Sequence, residues 1–323
     1  MKNLTSLFRS LVAFAMFGAF INSSGAENAT APAPAEPIAK ANVDDRVYLF
    51  AFFRGNSRDG LHFATSIDGL HWTAVGGDRS FLTPQVGEQK LMRDPSLWCG
   101  PDGLFHLVWT TAWEGQTIGY ANSKDLLHWS EQRACPVMAG QGACKQCWAP
   151  EVRYDASTNE FLIYWSSSVA PDYIKTYATT TKDFKTFTPA RVFFDPGYAE
   201  IDATIVEDRG RYALFFKQNG HGIRIAHAEK LQGPYGDISP LFAHEGGDQW
   251  EGPSAIRIGE DMIAYVDKFH SKERMGAWRS RDFQTWENIT AQTTGLFDIR
   301  HGCVLRVPRS IVDKLQTESP AAL

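Results

Sequence analysis

One unit recurs along this chain, and it restricts the fold more than any other feature. A short run rich in β-branched and aromatic residues is followed by a second run that ends in an aspartate-type turn with an aromatic behind it. The first runs are 47–53, 104–110, 161–166, 212–217 and 262–267. Turn signals Pro101-Asp102-Gly103, Ser157-Thr158-Asn159, Asp208-Arg209-Gly210 and Gly259-Glu260-Asp261 precede the last four, which is the pattern of hairpins. The second runs begin as Ala64-Thr65-Ser66-Ile67-Asp68-Gly69-Leu70-His71-Trp72 and return as Ala121-Asn122-Ser123-Lys124-Asp125-Leu126-Leu127-His128-Trp129. Looser copies stand at 181–187 and 280–286, and a degenerate one at 226–235.

The period is about 50–60 residues, which suits four-stranded blades with long loops. No long amphipathic helix interrupts it. A β-sandwich would also give short strands, but without a recurring hairpin-plus-aromatic unit. The expectation is therefore an all-β, five-bladed β-propeller over 45–310, with 311–323 as a C-terminal tail. The ends point to how it closes. The first copy lacks an upstream strand headed by a carboxylate, and the last stretch, 299–307, lacks a hairpin after it. If the C-terminal strand pairs with the N-terminal blade as its innermost strand, both deficits vanish and the sheet edges are hidden by radial closure.

The same strands carry the chemistry. Asp94 stands beside a proline in Arg93-Asp94-Pro95-Ser96, Asp202 in Ile201-Asp202-Ala203-Thr204 and Glu251 in Glu251-Gly252-Pro253-Ser254. Each opens an apolar run, and Glu151 and His301 head the remaining two inner strands. Strand heads in a propeller converge on the axis, so these residues are expected around one pocket.

The address is read from the N-terminus. Lys2 and Arg9 precede an apolar run at 11–21 and the small residues Ser24-Gly25-Ala26, so 1–26 is expected to be an export signal. The run falls short of the about 20 residues that span a bilayer, and no cysteine stands at the cleavage point to take a lipid, so no membrane anchor is expected. Residues 27–44, rich in Ala and Pro, read as a disordered linker, and the protein as periplasmic or secreted. The net charge of −5 has both signs interspersed, which excludes the basic face that nucleic acid needs. Cys144-Lys145-Gln146-Cys147 has the spacing of a redox or zinc motif but no second pair to complete it. A loop disulfide among Cys135, Cys144 and Cys147 is expected after export, with Cys99 and Cys303 as buried strand residues.

Taken in order, Arg-Asp-Pro-Ser at 93–96, Trp-Ala-Pro-Glu at 148–151, Ile-Asp-Ala-Thr at 201–204, Glu-Gly-Pro-Ser at 251–254 and Arg-His-Gly at 300–302 resemble glycoside hydrolase family 43. The Phe53-Arg54-Gly55-Asn56 opening and Asp59-Gly60-Leu61-His62 look like a bacterial, arabinosidase-like branch of it. The related fructosidase propellers need an Asn-Asp-Pro-Asn motif earlier in the chain, and none precedes Arg93. The resemblance implies a central pocket and hydrolysis of glycosidic bonds with inversion. By motif, Asp94 is then the base, Glu251 the acid, and Asp202 the residue that tunes the acid's pKa.

An inverting hydrolase needs those two roles in two carboxyl groups, with the acid held protonated near neutral pH. Arg93, Glu151, Lys217 and His301 are candidate substrate-binding residues, and Trp148, Trp250 and Trp98 are candidates for stacking on a sugar face or for core packing. Trp72, Trp129 and Trp286 are assigned to packing. In parts of the family the matching histidine helps hold an axial calcium, mostly through water, and otherwise His301 reads as a hydrogen-bonded core residue; no cofactor is required. The implied partner is a carbohydrate, acted on by a monomer. Among substrates, terminal α-L-arabinofuranosyl groups of plant-type polysaccharides or oligosaccharides are expected first, with β-xylosyl and β-galactosyl groups as alternatives. A non-catalytic sugar-binding propeller and a protein-interaction propeller are the readings from other classes.

Overall fold

The computed structural model describes residues 45–55, 57–247, 249–269 and 275–318. The expected export signal (1–26) and linker (27–44) lie outside the described residues. Five antiparallel sheets follow one another, and in the second to fifth the innermost strand comes first in the chain. In the second blade the order is Arg93–Cys99, Phe105–Thr110, Ile118–Ser123 and Arg133–Cys135. The third runs Trp148–Asp155, Glu160–Ser167, Lys175–Thr181 and Arg191–Phe194, and the fifth runs Trp250–Ile258, Asp261–Lys268, Gly276–Ser280 and Glu287–Asn288. The first blade is completed from the far end of the chain. Its inner strand is Arg300–Pro308, which pairs antiparallel with Arg46–Phe53.

The fourth blade has three strands, Glu200–Asp208, Arg211–Gln218 and Gly222–Ala228. It is also the one whose second run is degenerate in sequence. Pro234 and Pro240 fall where an outer strand would lie, and a proline cannot donate to a ladder. Isolated bridges between Ile223 and Phe242 and between His227 and Gly236 cover that edge instead.

The other four second runs share one turn. Asp68, Asp125, Asp183 and Asp282 each accept the backbone N–H groups two and three residues on through Oδ1, at 2.8–3.1 Å. The hydroxyl of Ser66, Ser123, Thr181 or Ser280 accepts the N–H three residues on at 2.8–2.9 Å. These side chains replace backbone partners in a tight reversal, which is why the motif repeats in sequence. Behind it the aromatics pack. Trp72 meets Phe50 and Tyr265 edge-on, and Trp286 stacks on Phe242 at 4.3 Å.

The core lies between blades, so both faces of the inner and second strands are buried. Leu49 and Ala51 pack toward Leu97, Leu107 and Trp109 of the second blade, while Phe50 and Phe52 pack toward Ile263 and Tyr265 of the fifth. This explains why 47–53 is apolar throughout instead of alternating. Each such Leu or Phe contributes about 1.5–3 kcal/mol by burial. One element departs from the expectation of a plain tail. Residues Arg309–Thr317 form a helix that buries Val312 and Leu315 against the first blade, where Arg79 donates to the Leu315 carbonyl.

Candidate active site

All five inner strands are irregular at the same place. Two residues of each face one on its neighbour: Asp94 and Pro95, Ala149 and Pro150, Asp202 and Ala203, Gly252 and Pro253, His301 and Gly302. Bulges bend a strand and re-aim its side chains. Four of the five leading residues have positive φ, namely Asp94 (51°), Ala149 (47°), Asp202 (60°) and Gly252 (55°). Aspartate tolerates that conformation better than most residues, and at Gly252 nothing larger fits, because a Cβ would lie 2.3 Å from Cγ of His301. The bulges thus set one ring of residues around the axis, and Arg93, Trp148, Ile201, Glu251 and Arg300 form the ring just before it.

In the bulge ring, His301 is the hub. Its Nδ1 lies 3.3 Å from Asp94 Oδ1 and 4.0 Å from Asp202 Oδ2. Burial alone would lower the imidazole's pKa, but its hydrogen bond to Asp94 and the charges of Asp202, Asp94 and Asp267 outweigh that and raise it to about 9. The reverse holds for Asp94. Burial pushes it up, yet the hydrogen bond and charge of His301, the charge of Arg93 and a hydrogen bond from Thr110 Oγ1 (2.8 Å) bring it down to about 2. Thr110 in turn accepts the Ala149 N–H, which locks Asp94 to the third blade. Asp202 is raised, mainly by burial, and its carboxylate accepts the Gly252 N–H at 2.9 Å while its own N–H donates to Ser166 Oγ.

Glu251 stands one residue before its bulge, among four charged groups. Lys217 Nζ is 3.6 Å away and Arg300 Nη2 3.4 Å. Arg300 is itself held by the buried Asp267 at 2.6 Å, and Asp267 also accepts the His301 N–H. Burial first, then the negative charges of Asp202 and Asp267, raise Glu251 to about 8. The surroundings therefore push Asp94 and Glu251 in opposite directions, Asp94 toward the ionised form and Glu251 toward the protonated one.

Around these, Arg93 lies between the rings of Phe53 (4.8 Å) and Trp113 (4.3 Å) and donates to Ser57 Oγ. Trp113 is 52% exposed and meets Trp148 edge-on, and the Trp148 indole N–H donates to the Trp113 carbonyl. Glu88 clamps that loop by accepting from Thr117 Oγ1 (2.7 Å) and the Gln116 N–H (3.2 Å).

Several expectations are corrected. Glu151 lies beyond its bulge, two residues deeper than the acid ring, buried between Ser96 Oγ (2.8 Å) and Arg153 (2.9 Å), so it binds the scaffold and not a substrate. Trp250 is buried edge-on to Trp278 at 4.7 Å with its N–H donated to the Glu245 carbonyl, which leaves no open face for a sugar. Trp98 lies toward the other end of its strand, under Arg153. The five cysteines are free thiols, not a disulfide and a remainder. Cys144 is hydrogen-bonded to Cys147 and Ser167, which lowers it to about 6, and Cys135 faces the core of the second and third blades. His301 lies against Asp94 and near Asp202, and among the described residues no group of three or more His, Cys, Asp and Glu is placed to hold a metal ion directly.

Thr110, Asp267, Arg300 and Trp113 were not singled out in the sequence as site residues. Arg300 had a signal, since it adjoins His301 in a motif. Asp267 and Thr110 had none, because each ends an apolar second strand and meets the site only across the sheet register.

A family model described as "Probable glycosyl hydrolase domain", related to family 43, matches residues 44–313. An α-L-arabinofuranosidase of Bifidobacterium longum subsp. longum is 25% identical over 186 residues, 44% of this chain, and the chain spans only 18% of that enzyme's length. Among solved structures, the catalytic domain of the Coprinopsis cinerea family-62 α-L-arabinofuranosidase superposes with a TM-score of 0.53 at 14% identity, over 68% of this chain and 75% of that one. A native Bacillus subtilis arabinanase superposes with a TM-score of 0.51 at 16% identity, over 64% and 79%. At such identities these two likenesses are of fold.

Proposed function

This chain belongs to the glycosyl hydrolase family related to family 43, and from that membership we propose an exo-acting, inverting glycosidase that releases terminal α-L-arabinofuranosyl groups. The observation that carries the reading is two carboxyls brought into one site in opposite surroundings: Asp94 paired with His301 and accepting from Thr110, which hold it low, and Glu251 buried near Asp202 and Asp267, which hold it high. Environments that push a pair of acids apart assign the base and the acid.

In the proposed step a water attacks the anomeric carbon from the Asp94 side. Asp94 takes one of its protons as the new C–O bond forms. The glycosidic C–O bond breaks on the opposite face, and the leaving oxygen takes the proton of Glu251. Water becomes more acidic as it bonds to a carbon of oxocarbenium character, so a carboxylate of low pKa suffices as base. Burial first, then the charges of Asp202 and Asp267, keep Glu251 protonated beforehand. Lys217 and Arg300 stabilise its carboxylate once the proton has gone, since both lie within 3.6 Å. Arg93 and the Trp113–Trp148 pair are the proposed sugar contacts. The chain acts as a monomer on the non-reducing ends of plant-type saccharides outside the cytoplasm, with no cofactor.

The arabinofuranosyl preference is supported by the B. longum relative. Rates on nitrophenyl α-L-arabinofuranoside, β-D-xyloside and β-D-galactoside, measured side by side, test it. Furanose and pyranose rings place the scissile oxygen differently, so positioning alone separates them by orders of magnitude. Turnover of either pyranoside a hundredfold faster, a gap of roughly 2.7 kcal/mol in barrier, would replace the substrate while leaving the roles of Asp94 and Glu251 intact. Sugar binding without turnover in both wild type and Glu251→Gln would favour the non-catalytic propeller.

A further inference from the structure

The inner strands have a second end. Four residues beyond the Asp94 bulge, roughly 13 Å along the strand, their C-terminal halves surround a cavity of about 360 Å³ that has no part in the chemistry above. All five inner strands contribute to its wall. Its wall is largely aliphatic, and set into it are aromatic side chains, Trp98 and Tyr154 among them, three arginines (Arg46, Arg153, Arg306) and one acid, Glu207.

The three arginines are not equivalent. Arg153 is spent on the scaffold, donating to the carbonyls of Val152 and Ile205 and pairing with Glu151, while its guanidinium covers one face of Trp98. Arg306 lies near the ring of Tyr48. Arg46 is the informative one: its Nε is buried and has no hydrogen-bond partner. A buried guanidinium N–H without an acceptor costs free energy on the order of 1–3 kcal/mol, which a turn of the side chain toward an acceptor bound in the cavity would recover. The acceptor that fits a guanidinium fork is a carboxylate or another oxyanion. The cavity falls in the range of small-molecule sites, about 300–1,000 Å³, so a bare inorganic anion would fill little of it. Aromatic walls beside a guanidinium suit a ring that is apolar on its faces and anionic at its rim.

We propose that this cavity is a non-catalytic binding site for an acidic saccharide, a sugar residue bearing a carboxylate, held by Arg46 and Arg306 with its ring against Trp98 and Tyr154. Such a site would hold the protein on an acidic polysaccharide with the hydrolytic pocket at the other mouth of the axis. The proposal does not depend on which sugar is hydrolysed, or on whether any is.

Isothermal titration and ligand-observed NMR with digalacturonate, its methyl ester and sodium sulfate test it on the whole protein. Digalacturonate should bind, and its affinity should fall as salt rises. The ester should bind at least tenfold more weakly, and sulfate at equal concentration should not displace the acid. Arg46→Gln and, separately, Trp98→Leu should each weaken digalacturonate at least tenfold while leaving the hydrolysis rate on the best nitrophenyl glycoside and the thermal midpoint near wild type. Equal binding of acid and ester overturns the proposal, as does displacement by sulfate, which would leave a simple anion hole. Undiminished binding by a folded Arg46→Gln protein, or no binding at 10 mM, on the order of the weakest useful affinity, also overturns it.

Discussion

Replacing His301 with glutamine tests the electrostatic design of the site, because the change keeps a hydrogen-bonding group at the hub and removes its charge. The imidazolium lies 3.3 Å from Asp94. At an effective dielectric of about 20, a unit charge at that distance is worth at most about 5 kcal/mol, or roughly 3.7 pKa units. The lower bound comes from the depression itself. Asp94 sits at about 2 against an ordinary 3.8, and with His301 gone the burial that already pushes it upward acts with less opposition. Asp94 in the variant should therefore titrate between about 4 and 6. The assay is kcat/KM against pH, which reports the free enzyme's base and acid. A base must be ionised, so wild type should show no acid limb above pH 4, while the variant should lose activity as pH falls through about 5. An acid limb in the same place for both would refute the pairing as the cause of the low value. Linkage gives a second readout with its own sign. Asp94 is depressed, so its contribution to stability is complete above its ordinary value and is lost as pH falls through about 2. His301 is raised, so its contribution is complete below 6.5 and is lost as pH rises through about 9. In the variant Asp94 is instead raised, so the variant loses stability as pH climbs through about 4 to 6. The stability difference between wild type and variant should therefore grow as pH rises to about 6, be largest near about 6 to 6.5, and shrink as pH rises further through about 9.

Three further outcomes are expected. Glu251→Gln should reduce kcat about 10²–10⁴-fold on substrates with poor leaving groups, and Asp94→Asn should abolish turnover with the fold intact; NMR of the first-formed anomer should show inversion, and a retained anomer would remove Asp94 from the role of base. Gly252→Ala should cost more than about 1–2 kcal/mol of stability in thermal or urea melts, since it adds left-handed strain to a Cβ 2.3 Å from His301; a variant as stable as wild type would show that the bulge can move. Leu315→Ala should cost about 2–5 kcal/mol because its side chain is fully buried under the first blade, and deletion from Arg300 onward should leave no cooperative transition, whereas a soluble, cooperatively melting truncation would exclude closure by the last strand.

The repeat was legible in the chain because its physics is local. Ser66 and Asp68 satisfy backbone groups within three residues, so the same few side chains must reappear wherever that turn does. The degenerate fourth copy was equally legible, and it is the blade without an outer strand. Closure could be read from what the two ends lacked. The heads of the inner strands could be found because their acids stand beside Pro, Gly or Ala in short motifs. Depth along the axis could not be read there. A bulge shifts what a strand presents by one residue, and five bulges in register place Asp94, Asp202 and His301 in one ring, put Glu251 just before it and send Glu151 below it. Sequence proximity to an acid also misled, for Trp250 because neighbouring strand residues point to opposite sides, and for Trp98 because four residues carry it to the far end of its strand. Titration was the furthest from the sequence. That Asp94 is ionised, Glu251 protonated and His301 charged depends on groups brought within 4 Å across blades distant in sequence, among them Asp267, whose position in the chain resembles that of any strand end. Local patterns are written by interactions within a few residues, whereas a pKa is set by every charge and every lost water around the group, and only the closed propeller determines those.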